Sequence, residues 1–239
     1  MMNRLRQFAT LPLAAIFALI PAAAQSGSFV VSQHGKPVGT ASFSFTATPH
    51  GYDSTSLVRI DMQGLNYSLS KTERLTSANY LRHVQLSATV NGSAVTVTGA
   101  PDAAQILLNF SASGRATTTR LAAHSSAVFL PDFDPGALET LLALAVTQNS
   151  RDLWVILPKK AGSVATVQMA TYADLKGTLD GKPVVVHHLI ATINGTSTDL
   201  FSGPENQLLQ AELPQPGFSL ARKGFVLTQP AKPGAPPME

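Results

Sequence analysis

The sequence predicts a mostly β protein: a strongly curved antiparallel sheet, a spiral β-roll or half-barrel of about a dozen strands, with one amphipathic helix packed on it. Three observations carry this reading. Most of the chain alternates apolar and polar residues at period two. Tight-turn dipeptides stand between the alternating runs where parallel strands would need crossover helices. A single segment has helical spacing instead.

GTASFSFTA sets Phe43 and Phe45 on one face and Ser42, Ser44 and Thr46 on the other. SLVRIDM opposes Val58, Ile60 and Met62 to Arg59 and Asp61, and LNYSLSK aligns Leu65, Tyr67 and Leu69. VQLSATV aligns Val84, Leu86, Ala88 and Val90. AVTVTG, AQILLNFSA, RATTTRLAA, LWVIL, VATVQMATY, VVVHHLIATI and FSLARKGFVL continue the pattern. Alternation in runs rich in Val, Thr and Phe is the signature of strands with one buried face.

Gly-Lys-Pro-Val occurs twice, after His34 and after Asp180. A phosphate-gripping loop would need Ser or Thr after Gly-Lys and a helix to follow. Pro37 and Pro183 follow instead, each opening a strand run, where a missing N–H is tolerated. His34-Gly35, Asp180-Gly181, Asn91-Gly92 and Asn194-Gly195 therefore read as two-residue hairpin tips whose central residues take positive φ.

LPDFDPGALETLLALAVTQNSRD breaks the alternation. Asp134 suits an N-cap, Pro135 the first helical position, and Glu139 the positive end of the helix dipole. Leu138, Leu141, Leu142, Ala145 and Val146 follow at helical spacing, with Asn149 as a stop, so the helix runs about four turns. Its apolar face has to be buried against the sheet.

The chain opens MMNRLRQFATLPLAAIFALIPAAAQSG, with a basic head at Arg4 and Arg6, an apolar stretch from Leu11 to Ile20, and Ala22-Ala23-Ala24 before Gln25. These are the parts of a secretory signal peptide over 1–24, and the run is shorter than the ~20 residues of a membrane span. Cleavage after Ala24 leaves 215 of the 239 residues as one β-rich domain, 25–229, followed by a proline-rich tail, 230–239, read as disordered. Periplasmic or secreted localisation in a bacterium follows as the expectation, with no transmembrane span after cleavage. Since Arg4 and Arg6 leave with the leader, the 17 basic and 14 acidic residues become 15 and 14, a net charge of +1. A near-neutral chain with dispersed lysines and arginines has no electrostatic footprint for nucleic acid. The absence of cysteine excludes thiol nucleophiles, thiolate metal sites and disulfides.

No motif for a reaction or a cofactor is present. G-x-S-x-G, H-E-x-x-H and the EF-hand loop are missing. His187 and His188 are adjacent on a strand run and face opposite ways, so they do not close on one metal; one belongs inside and one outside. Asp132 and Asp134 flank a helix start, where capping accounts for them. Asp61 paired with Asp174 or Asp199, or a hydrolytic cluster around His83, His124 or His188, would have to be assembled from distant strands. The Asn-x-Ser/Thr matches at Asn66, Asn91, Asn109 and Asn194 read as incidental.

Two stretches carry a resemblance. GSFVVSQHGKPVGTASFSF and TDLFSGPENQLLQAELPQPGFSLARKGF resemble the opening and closing segments of exported bacterial β-rich families of unknown function. Those families are similar to the spiral β-roll proteins grouped under glycolipid binding, and distantly to the periplasmic lipoprotein carriers. The resemblance spans most of residues 28–228, rests on turn and strand patterns, and brings no catalytic residue. It departs at Leu200-Phe201-Ser202, where such families often carry an aromatic–acidic pair. It implies a curved sheet wrapped around helix and an apolar ligand. The leading expectation is thus a periplasmic binding or carrier protein for a lipid or other long apolar envelope component. Its candidate lining is Phe43, Phe45, Met62, Tyr67, Phe110, Leu138, Leu142, Trp154 and Met169. The alternatives are a secreted hydrolase with a site assembled from strand ends, and a structural envelope module making peripheral contacts.

Overall fold

The computed structural model describes residues 25–147, 152–159 and 162–228. The expected leader, the proline-rich tail and the expected helix stop at Asn149 lie outside the described residues.

The chain is mostly β, with seventeen strands and one helix. An N-terminal series of hairpins comprises β1 (Ser26–Gln33), β2 (Lys36–Thr48), β3 (Gly51–Met62), β4 (Leu65–Leu75), β5 (Leu81–Val90), β6 (Ser93–Asp102), β7 (Gln105–Ala112) and β8 (Arg115–Ala122). A short strand β9 (Ala127–Phe129) leads into helix α1 (Pro135–Thr147) and then β10 (Leu153–Leu157). The C-terminal part adds β11 (Ser163–Thr171), β12 (Leu175–Leu179), β13 (Lys182–Ile193), β14 (Thr196–Ser202), β15 (Leu208–Glu212), β16 (Phe218–Arg222) and β17 (Phe225–Leu227).

Strand β1 is the seam of the molecule. It pairs with β2 on one side and with β16 on the other. From β2 the ribbon runs outward in chain order to β8. From β16 it runs through β15, β14, β13, β11 and β10 to β9. Strands β12 and β17 branch from the first half of β13. The sheet is not closed into a barrel, but its ends meet: β9 lies near β5, and β8 near β11.

Seventeen strands exceed the expected dozen, and three of the additional ones, β14, β15 and β17, escape the alternation for two reasons. FSLARKGFVL is two strands, β16 and β17, split by a turn at Lys223-Gly224. Strands β14 and β15 lack alternation because both their faces are covered: Leu200 and Leu208 point into the main core, Phe201 and Leu209 into a second apolar layer with Leu175, Val186 and Phe225. A strand buried on both sides loses the period-two signal. One pairing is parallel, β9 with β10, because α1 forms the crossover between them.

The hairpin tips have the expected conformation. His34 and Gly35 have φ of +48° and +75°, and Asp180 and Gly181 have +51° and +76°. Asn91-Gly92 and Asn194-Gly195 are alike, so Gly-Lys-Pro-Val is one turn solution used twice.

The helix also differs from its expected form. It is buried on nearly all sides, Glu139 and Thr140 included, while Val146, expected on the buried face, is 56% exposed because it sits beyond the covered part. The helix packs against β2, β3, β9, β10 and β15, filling much of the concave side of the sheet.

Candidate functional site

Period two on β4 places Leu65, Tyr67, Leu69, Lys71, Glu73 and Leu75 in one row facing the interior. Lys71 and Glu73 are accordingly buried in an apolar row, where a charge survives only with a partner. Lys71 Nζ lies 2.8 Å from Glu73 Oε2 and 2.6 Å from Asp134 Oδ2. Asp134 also caps α1, its Oδ1 accepting the backbone N–H of Gly136 (2.9 Å) and Ala137 (3.2 Å). Burial works against the Lys71 ammonium, but Asp134 and Glu73 outweigh it and hold its pKa above the ordinary value. Burial, with Asp134 adding to it against the pull of Lys71, holds the Glu73 carboxyl above the usual range. With two carboxylates at its ammonium, Lys71 is a structural cation and no general base for the neighbouring Ser54 and Ser56.

The loop that leads into this cap shapes a cleft. Phe133 has φ of +60°, a conformation costly for a bulky side chain. Its ring is held edge-on to Tyr67 (5.7 Å) and tilted against Phe218 (5.0 Å), so packing enforces the turn. The Tyr67 hydroxyl donates to the Asp132 carbonyl at 3.3 Å. Burial, then the Asp132 and Asp134 charges, push the Tyr67 phenol above its ordinary pKa and keep it a donor. The Asp132 side chain turns outward, where Lys159 Nζ (2.7 Å) and Gln215 Nε2 (2.8 Å) reach it. Asp132 thus does not cap; Asp134 alone does.

Beside this loop lies a cleft of about 650 Å³. Its walls come from four stretches remote in sequence: 130–134 with Leu138; Leu157, Lys159 and Ser163; Ile193, Asn194, Thr196 and Thr198; and 213–216. Leu130, Phe133, Leu138, Leu157, Ile193 and Leu213 make it chiefly apolar, with Asp132, Lys159 and Gln215 as polar groups. The volume lies within the range of ~300–1,000 Å³ usual for small-molecule sites.

On the other flank of α1 a smaller recess of about 190 Å³ is lined by Gln25, Phe45, Tyr52, Glu139 and Thr140 among others. Glu139 Oε2 accepts the Leu208 N–H at 2.8 Å, and its Oε1 accepts the Gln25 side-chain amide. Burial pushes the Glu139 carboxyl up to about 7, moderated by the Leu208 bond and by Arg222. The expected dipole partner is therefore an enclosed acceptor that ties α1 to β15.

The nine candidate lining residues divide as follows. Leu138 lines the cleft and Phe45 the recess. Phe43, Tyr67 and Leu142 are buried in the main core. Met62, Phe110, Trp154 and Met169 are half-buried at its margin and line neither cavity. Trp154 stacks on His124 at 3.6 Å and donates to Asp152 at 2.6 Å.

The histidines separate as adjacent strand residues should. His188 is buried in the second apolar layer, stacked on Phe201, with Nε2 2.7 Å from Asp199. His187 is half-exposed and 2.8 Å from Asp174. The His188–Asp199 pair faces away from the cleft, since Thr198, its neighbour on β14, is the cleft residue. Among the described residues no group of three or more His, Asp or Glu side chains is placed to hold a metal ion. No helix among them is long and apolar enough to cross a membrane.

The sequence reading missed Lys71, Glu73, Lys159 and Gln215. For the first two the signal was present: extending the Leu65–Tyr67–Leu69 row by two steps puts both charges in the core. For Lys159 and Gln215 there was none, because loop residues follow no period. Comparison with protein-family models, with curated proteins and with solved structures finds no match.

Proposed function

We propose that this chain is an exported binding or carrier protein for a lipid or another envelope molecule with a long apolar part. The observation that supports it is the cleft of about 650 Å³ at the edge of the filled core, apolar over most of its wall. The concave face of the sheet is otherwise occupied by α1 and by aromatic side chains such as Phe29 and Phe43. The ligand therefore sits at the margin of the helix and not beneath it. Each buried CH₂ contributes ~0.8 kcal/mol, so burying a ten-carbon chain contributes about 8 kcal/mol towards the cost of association with no polar motif needed. The hydrolase alternative has less support. Its best histidine is stacked on Phe201 and bonded to Asp199, on the face of β14 opposite the cleft.

Native mass spectrometry of the protein purified from cells expressing the full chain tests the proposal. A bound lipid-sized mass is expected in the wild type and is expected to be lost in Ser163→Trp, which fills the cleft from its exposed rim. A clean unliganded mass, with no thermal protection by phospholipids or fatty acids, would overturn it.

A further inference from the structure

The Lys71 triad contains two groups that can react with each other. An amine and a carboxyl in contact, away from water, are the components of an amide. Lys71 Nζ lies 2.6 Å from Asp134 Oδ2, an atom bonded directly to the carboxyl carbon, and both side chains are 0% exposed. They come from separate elements, β4 and the cap of α1, so the packing of the whole fold presents one to the other. The two oxygens of Asp134 are unlike. Oδ1 accepts the N–H groups of Gly136 and Ala137 at the start of α1, whereas Oδ2 has no partner but the ammonium among the described residues. Backbone donors at a helix N-terminus stabilise the negative charge that grows on an oxygen when a nucleophile adds to its carbon. Oδ2 is the oxygen placed to leave. Glu73 meets the remaining need, a group to move protons, with its Oε2 2.8 Å from Lys71 Nζ. Its burial favours the protonated carboxyl, so it takes up a proton more readily than an exposed glutamate. No backbone N–H reaches Glu73 among the described residues, which leaves Asp134 as the polarised carboxyl.

We propose that Lys71 Nζ and Asp134 Cγ join in an isopeptide bond that staples β4 to the cap of α1, with Glu73 as the proton carrier. The ammonium passes one proton to Glu73, which hands it to Oδ2. The neutral amine adds its electron pair to Cγ, and negative charge gathers on Oδ1. A second proton then travels from nitrogen through Glu73 to Oδ2. The Cγ–Oδ2 bond breaks, its electron pair leaving with water, and Glu73 ends as the carboxylate it was. No oxidant, cofactor or second substrate is consumed. The amide keeps Oδ1 as its carbonyl oxygen, so α1 remains capped. Two enclosed ions become one neutral group, which removes their desolvation cost. Ser54 and Ser56 stand opposite Glu73 and Lys71 on β3, and their enclosed hydroxyls, without a partner among the described residues, can hold the water released. The two carboxylates favour the ammonium, so the amine is scarce and the step slow. It has to occur once in the life of a chain. In a protein without cysteine the bond takes the place of a disulfide, and it is independent of what the cleft binds.

The test is mass spectrometry of the folded protein, purified from cells expressing the full chain and then denatured. The wild type is expected to weigh one water less than the sequence of the purified chain gives. Trypsin is expected to leave Lys71 uncut and to yield a branched peptide that joins the segment holding Lys71 to the one holding Asp134. Lys71→Arg, which keeps the charge and loses the nucleophile, is expected to show the full mass and no branched peptide. Glu73→Gln, which keeps the shape and loses the proton carrier, is expected to fold and to retain the full mass. A folded wild type of full mass overturns the proposal. So does a missing water traced to another place, such as a ring at Asp180-Gly181. A Glu73→Gln variant linked as completely as the wild type overturns the role of Glu73. The wild-type peptide map decides on the bond even where a variant fails to fold.

Discussion

Asp134 and Glu139 stand at the start and in the second turn of the same helix, both almost fully buried, and they are treated oppositely by their surroundings. Strand β4 delivers the Lys71 ammonium to within 2.6 Å of Asp134, and two backbone N–H groups complete the shell. Glu139 receives an amide and a backbone N–H but no cation in contact. The nearby Arg222 directs its Nε to the Leu208 carbonyl and its Nη1 to that of Ser26, so it attracts Glu139 only at a distance. The helix is common to both; what differs is whether the facing strand brings a full positive charge. Asp134, in contact with that ammonium, ties α1 to β4, whereas burial without such a contact pushes the Glu139 carboxyl up to about 7.

The sharpest way to break this contrast is to remove the cation. Lys71→Met leaves Glu73 and Asp134 enclosed without a counter-charge, and urea denaturation at neutral pH is expected to show a loss of about 3–5 kcal/mol. A loss below about 1 kcal/mol would mean that the triad is not the tie between α1 and β4.

Next comes the pH dependence of Glu139. Its folded-state carboxyl sits at about 7 against 4.5 when free, so the folded protein binds that proton more tightly than the unfolded one. The resulting stability is fully present below about 4.5 and is lost as pH rises through about 7, a decline on the order of 2–3 kcal/mol. Glu139→Gln keeps an acceptor for the Leu208 N–H and is expected to flatten that decline. A variant with the wild-type slope between pH 5 and 7 would assign the titration to another group, Glu73 first.

The smallest effect tests the fit of the helix start. A Cβ on Gly136 would lie 2.5 Å from Ser56 Oγ and 3.0 Å from Phe43 Cβ, so α1 approaches β2 and β3 more closely than a side chain permits. Gly136→Ala is expected to lower stability by about 1 kcal/mol, despite the better helix propensity of alanine. A gain in thermal stability would show that the helix can shift without loss.

The contrast also marks where sequence reading stops. The Asp134 cap and Pro135 start were legible because capping is local, needing only neighbouring N–H groups. The hairpin tips at His34-Gly35 and Asp180-Gly181 were legible for the same reason. Lys71 and Glu73 were legible in principle, since the period of β4 places them inside, but that period says nothing about which carboxylate from another element completes the pair. Strands β14 and β15 hid because burial on both faces erases alternation. The cleft was beyond reach, being formed by four separate stretches, and of the nine residues nominated for a lining only Leu138 borders it. The nominees were large apolar side chains, and such side chains mostly serve to fill the core.

The seam at β1 has a mechanical consequence. β1 and β16 run antiparallel, with Phe29 opposite Arg222, so the earliest and latest residues of this pair lie at one end of the ladder. A load drawn between Ser26 and Arg222 therefore opens the contact bond by bond, like a zip, instead of shearing all its rungs together. Traction between these two residues thus loads the seam one rung at a time, and the contacts of α1 with β2 and β15 remain to hold the two halves together.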